Sequence, residues 1–145
     1  MVGAIIVAHC SIGKELIGTV EYLIGKIEGI TSISIDDKSN PFEVKRAISE
    51  AIQQVDQGDG VLILTDLFGG SPSNIAFSFL NREKIDVITG VNLPMILTFL
   101  NRREGRNLTE LVELVRTSGV RSIVLARNLM GTKGTFKRRL EGRNR

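Results

Sequence analysis

Val61-Leu62-Ile63-Leu64-Thr65-Asp66-Leu67-Phe68-Gly69-Gly70-Ser71-Pro72-Ser73-Asn74 is the stretch whose reading decides the fold. It begins as an apolar, β-branched run, meets an acid, passes two glycines and restarts at Ser71-Pro72, which reads as the N-cap and first residue of a helix. A buried strand that ends in Asp-x-x-Gly-Gly and turns into a helix is how open α/β sheets build sites. Ligands gather at the carboxyl ends of the strands, where helix N-termini offer unpaired N–H groups.

Working outward, Gly3 to Ala8 is a second continuous apolar run, expected of a strand buried on both faces, and it stops at His9-Cys10-Ser11. Ile12, Leu16, Ile17, Val20, Leu23, Ile24 and Ile27 keep helical spacing, which predicts an amphipathic helix to about Lys26. A short alternating strand follows at Ile30 to Ile35. Asn40-Pro41-x-Glu43 has the form of a cap, a first-position proline and a capping-box acid, opening a helix that ends near Gln57. After the central strand, Pro72 to Leu80 reads as a largely buried helix and Ile85 to Thr89 as a fourth strand. Helices are predicted from about Leu93 to Leu100 and from Asn107 to a stop at Gly119, and Ser122 to Ala126 reads as a last strand. Strands alternating with helices predict an α/β fold: a doubly wound, mostly parallel open sheet of about four strands plus a C-terminal edge strand, with helices on both faces.

Composition bounds the function. In 145 residues, 42% hydrophobic and 24% charged, there is room for one domain, expected over residues 1–130. The single cysteine excludes an internal disulfide, and no Cys-x-x-Cys pair or Cys/His cluster offers a metal site; no cofactor is expected. No apolar run approaches membrane-spanning length, and the Val2 to Ala8 run lacks the features of a secretory leader, so the expected location is cytoplasmic. The net charge of +3 is local. Residues 131–145 carry six basic side chains against Glu141, a net of +5, which leaves −2 for residues 1–130. This tail shows no aromatic stacking pattern and reads as a solvated terminus, with no nucleic-acid partner expected.

His9, the only histidine, follows the first strand, and Asp66 follows the third. In a parallel sheet both lie on one edge, and if the strands are neighbours the side chains meet. A carboxylate bonded to one imidazole nitrogen fixes the tautomer and leaves the other as a nucleophile. The N–H groups of Gly69, Gly70 and Ser71 can cradle an anion beside it, which suggests phosphoryl transfer through phosphohistidine. Each residue alone also has a plain reading: a structural or exposed histidine, a turn acid, a strand-to-helix turn. Cys10 reads first as a small buried hydrophobe and second as a nucleophile. Asn92-Leu93-Pro94 either lines the cleft or starts a helix.

His9 after a short first strand, Asp66 to Asn74, and Gly90-Val91-Asn92-Leu93-Pro94-Met95, in that order, resemble the mannose-type enzyme IIA domain of the bacterial phosphoenolpyruvate-dependent sugar phosphotransferase system. The resemblance covers roughly Val2 to Ala126. It implies that His9 takes a phosphoryl group from the histidine-containing phosphocarrier protein and passes it to a separate IIB component. Asp66 would orient His9 through Nδ1, and Ser71 would help bind phosphate. Apart from the resemblance, Cys10, Phe68, Asn92 and Pro94 are candidates for lining the cleft. It also implies a homodimer in which Ser122 to Ala126 is an exchanged antiparallel strand. Cys10 departs from the glycine frequent in the family. The alternatives are a stand-alone regulatory module controlled by His9 phosphorylation and, less well matched at Phe68 to Pro72, a dihydroxyacetone-kinase phosphotransfer subunit.

Overall fold

The computed structural model describes residues 1–130; the basic tail 131–145 lies outside the described residues. The chain alternates β1 (Gly3–His9), α1 (Ile12–Ile24), β2 (Ile30–Ile35), α2 (Pro41–Val55), β3 (Val61–Thr65), α3 (Ser71–Phe77), β4 (Ile85–Thr89), α4 (Leu93–Arg102), α5 (Leu108–Arg121) and the short α6 (Ala126–Leu129). The four strands form one sheet in the order β2-β1-β3-β4, every pair parallel. The two apolar runs are its central strands, buried almost throughout, because helices cover both of their faces.

Alternation along the strands divides the core in two. Ala4, Ile6, Ala8, Leu62 and Leu64 pack under Val20 of α1, Ile96 and Phe99 of α4, and Leu111 and Val115 of α5. Ile5, Val7, Val61 and Ile63 pack under Val44, Ile48 and Ile52 of α2 and Ala76 of α3. The chain moves from β1 outward to β2, then returns across β1 to β3 and β4 on the other side. The connections therefore diverge between β1 and β3, which opens a crevice at the carboxyl ends of those two strands. His9 and Asp66 sit there.

Several expectations need correction. Helix α5 passes through Gly119 and ends at Arg121. A Cβ at Gly119 would lie 2.6 Å from Met95 Cγ and 2.7 Å from its Sδ, so this glycine lets α4 and α5 approach closely and stops nothing. Helix α1 ends at Ile24, α2 at Val55 and α3 at Phe77, each two or three residues before its expected end. Helix α3 has Gly70, not Ser71, as its N-cap, with Asn74 N–H donating to Gly70 O. The edge strand at Ser122 to Ala126 is not formed in the single chain: Ser122 caps α5, and Ala126 begins α6. A strand exists only where another edge accepts its hydrogen bonds, and here Ile123 and Leu125 are left exposed instead.

Candidate functional site

The register of the sheet brings the site together. Val7 of β1 pairs with Thr65 of β3, so the ends of the two strands place His9 and Asp66 side by side across fifty-seven positions of sequence. Asp66 Oδ2 accepts twice, from His9 Nδ1 at 2.9 Å and from the His9 backbone N–H at 3.1 Å. An ionised carboxylate can only accept, so Nδ1 carries a proton, and in the neutral ring Nε2 is then the nitrogen with the lone pair. The His9 side chain is 41% exposed and Asp66 only 11%, which leaves the ring open to a partner while its anchor is covered. Burial pushes the Asp66 carboxyl up, but the hydrogen bonds from the His9 side chain and backbone, with the charge of His9, outweigh it and hold the group below its ordinary value. Asp66 Oδ1 and Thr65 Oγ1 are buried without a hydrogen-bond partner among the described residues.

The glycine turn closes the other side. Gly69 adopts φ +87°, a conformation open to glycine at little cost. Its N–H donates to Ser73 Oγ at 3.0 Å, and the Ser73 hydroxyl donates to Gly70 O at 2.9 Å, a latch that holds the turn. The Gly69 amide is thus engaged, whereas the N–H groups of Gly70 and Ser71 have no partner among the described residues. A Cβ at Gly70 would lie 3.2 Å from His9 Cε1 and 3.8 Å from Nε2. Its absence leaves a hollow beside the nucleophilic nitrogen, with Ser71 exposed at its edge as the first residue of α3.

The remaining candidates separate. Cys10 is exposed, not buried, and sits at φ +51° because the chain turns sharply between β1 and α1. Phe68 is exposed and packs against Phe77 with ring centroids 6.3 Å apart. Asn92 is occupied by helix packing: its Oδ1 accepts from Met95 N–H at 3.2 Å and its Nδ2 donates to Gly119 O at 3.1 Å. Pro94 lies in the first turn of α4. These two serve the helix start. The role of Ser73 as latch and the contact between Gly70 and the imidazole were not read from sequence, although a serine three residues after a turn glycine is a recognisable signal for the first. A cavity of about 610 Å³ between α4 and α5, lined by Thr98, Arg102, Arg106 and Arg121 among others, shares no residue with this site.

The site is thus an acid-oriented imidazole beside an open, amide-lined hollow at the switch point of a parallel sheet, an arrangement able to act as nucleophile or base. The family model described as "PTS system fructose IIA component" matches residues 3–116. The mannose-specific EIIAB component of Escherichia coli K12 is 31% identical over 120 residues, covering 81% of this chain. The chain spans only 37% of that relative's length. The fructose-specific EIIA component of Bacillus subtilis is 26% identical, with 84% of each chain covered. A crystal structure of phosphotransferase system component EIIA from Streptococcus agalactiae superposes with TM-score 0.81 at 26% identity, covering 88% of this chain and 99% of that one. The chain belongs to the mannose/fructose-type EIIA family of the sugar phosphotransferase system, whose members act as phosphotransferases. Among the described residues no helix is long and apolar enough to cross a membrane.

Proposed function

We propose that this chain is a phosphocarrier that works in the cytoplasm, accepting a phosphoryl group on His9 Nε2 from the histidine-containing phosphocarrier protein and passing it to a separate IIB component for sugar uptake. The Nε2 lone pair attacks phosphorus in line as the bond from phosphorus to the donor's ring nitrogen breaks, and the electron pair leaves with the donor imidazole. His9 keeps the Nδ1 proton throughout. Its ring gains positive character, which Asp66 stabilises at 2.9 Å without taking the proton. The phosphoryl oxygens occupy the hollow at Gly70, within reach of the Gly70 and Ser71 N–H groups and the Ser71 hydroxyl, while Gly69 supplies the turn.

The observation that carries this reading is the pair of hydrogen bonds that His9 donates to Asp66 Oδ2, together with the open volume at Nε2. Incubation with radiolabelled phosphoenolpyruvate, enzyme I and the phosphocarrier protein should give an acid-labile label, absent from His9→Ala. Label that survives His9→Ala would refute it.

The same reading takes the chain to be a homodimer joined through Ser122 to Ala126. Val120, Ile123 and Leu125 are exposed beside a cavity of about 230 Å³ lined by residues of β4, α4 and α5, an apolar surface of the kind a second copy covers. Light scattering should give twice the chain mass, and Ile123→Asp should reduce it to one.

A further inference from the structure

Six phenylalanines occur in the chain, and two of the described ones stand almost fully in solvent: Phe42, 84% exposed, and Phe68, 75% exposed. Both lie on the carboxyl side of the sheet. Phe42 is the second residue of α2, which starts from the carboxyl end of β2, and Phe68 precedes α3 at the end of β3. Helices α2 and α3 pack on the same face of the sheet and touch each other, so both rings belong to the same side of the carboxyl edge that ends β1 at His9. Leu67 and Ile12 add exposed apolar surface, Ile12 from the start of α1 across the site. Elsewhere the described aromatic rings of this chain are covered, apart from Tyr22 in α1, so core packing does not account for the pair.

Phosphoryl transfer from one histidine to another, on which this inference rests, brings the donor's ring within bonding range of the phosphorus held at His9. Whatever surrounds Nε2 is then covered by the donor. Exposed aromatic side chains in such a place are the residue type that anchors protein interfaces. The charge around Phe42 is mixed, with Asp37 and Lys38 on the β2–α2 turn and Glu43, Lys45 and Arg46 exposed in the first turns of α2, so apolar area and not charge marks this surface. We propose that Phe42 and Phe68, with Leu67 and Ile12, form the rim on which the phosphohistidine-bearing donor protein seats.

The rim acts on encounter and leaves the chemistry at Nε2 alone. Steady-state transfer from the phosphorylated carrier protein to Phe42→Ala and to Phe68→Ala should show KM raised about ten-fold with kcat within two-fold, as expected for interface anchors. Phe42→Ala should take phosphate from phosphoramidate, a small donor with no docking surface, at the wild-type rate. Unchanged donor KM in both phenylalanine variants overturns the rim, and equal loss with phosphoramidate shows damage to the site itself and overturns it too. Wild-type protein that phosphoramidate and the carrier both fail to label refutes the His9 reading, and the rim falls with it.

Discussion

Gly70→Ala should separate stability from function at one atom. The backbone at Gly70 is φ −85°, ψ 171°, open to any residue, so alanine fits the chain. Removing glycine's freedom in the unfolded state stabilises by about 0.4–1 kcal/mol. Loss of a tolerable N-cap costs a similar amount, which leaves net stability within about 1 kcal/mol of wild type. The added Cβ, at 3.2 Å from His9 Cε1, requires the ring to give by a few tenths of an ångström, and at 3.8 Å from Nε2 it fills the space that phosphoryl oxygens need. Misplacement of reacting groups by about 1 Å costs on the order of 10²-fold, so His9 phosphorylation should slow at least that much. Gly69→Ala should do the reverse. Its φ of +87° strains an alanine by about 1–2 kcal/mol, yet a Cβ there meets nothing within 4 Å, so phosphorylation survives a lowered melting temperature. Rapid-quench transfer from the phosphorylated carrier, with thermal melts of both variants, measures the two effects. A Gly70→Ala protein that accepts phosphate at the wild-type rate would refute the hollow as the phosphoryl site.

Asp66→Asn should fold and bind the donor but accept phosphate about 10²-fold or more slowly, since an amide neither fixes the tautomer nor supports the positive ring; single-turnover rates will show it. The Asp66 carboxyl is depressed in the folded chain, so its stabilising contribution is complete above the ordinary carboxyl range and declines as pH falls below about 4, where the unfolded chain binds the proton first. The melting-temperature gap between wild type and Asp66→Asn should therefore narrow on acidification, and a gap constant from pH 7 to pH 3 would contradict the hydrogen-bond account. Gly119→Ala gains helix propensity but drives Cβ into the Met95 side chain, so it should destabilise by about 1–3 kcal/mol in urea titrations, with transfer chemistry intact.

The pairing of His9 with Asp66 was legible because parallel strands place their carboxyl ends on one edge, so two residues after two buried runs must share it. The central sheet was legible for the same reason, as both runs were apolar on every position. Gly119 was misread because a glycine late in a helix signals a stop and a close helix crossing alike, and only the position of Met95 decides between them. Ser122 to Ala126 has the composition of a strand, but an edge to pair with is a property of the assembly and not of those five residues. Cys10 looked like a buried hydrophobe, yet the tight passage from β1 to α1 turns it outward. The exposure of Phe42 was in the period though not read from it: Phe42 lies on α2 opposite the face that carries Val44, Ile48, Ile52 and Val55.

The central claim is that phosphate resides on Nε2 of His9 while Nδ1 stays bonded to Asp66. Nitrogen-15 and phosphorus-31 NMR of the phosphorylated protein, labelled at histidine, tests it directly because His9 is the only histidine in the chain. The account predicts phosphorus coupled to Nε2 and a protonated Nδ1. Phosphorus coupled to Nδ1, or carried by Cys10 or Ser71, would contradict it.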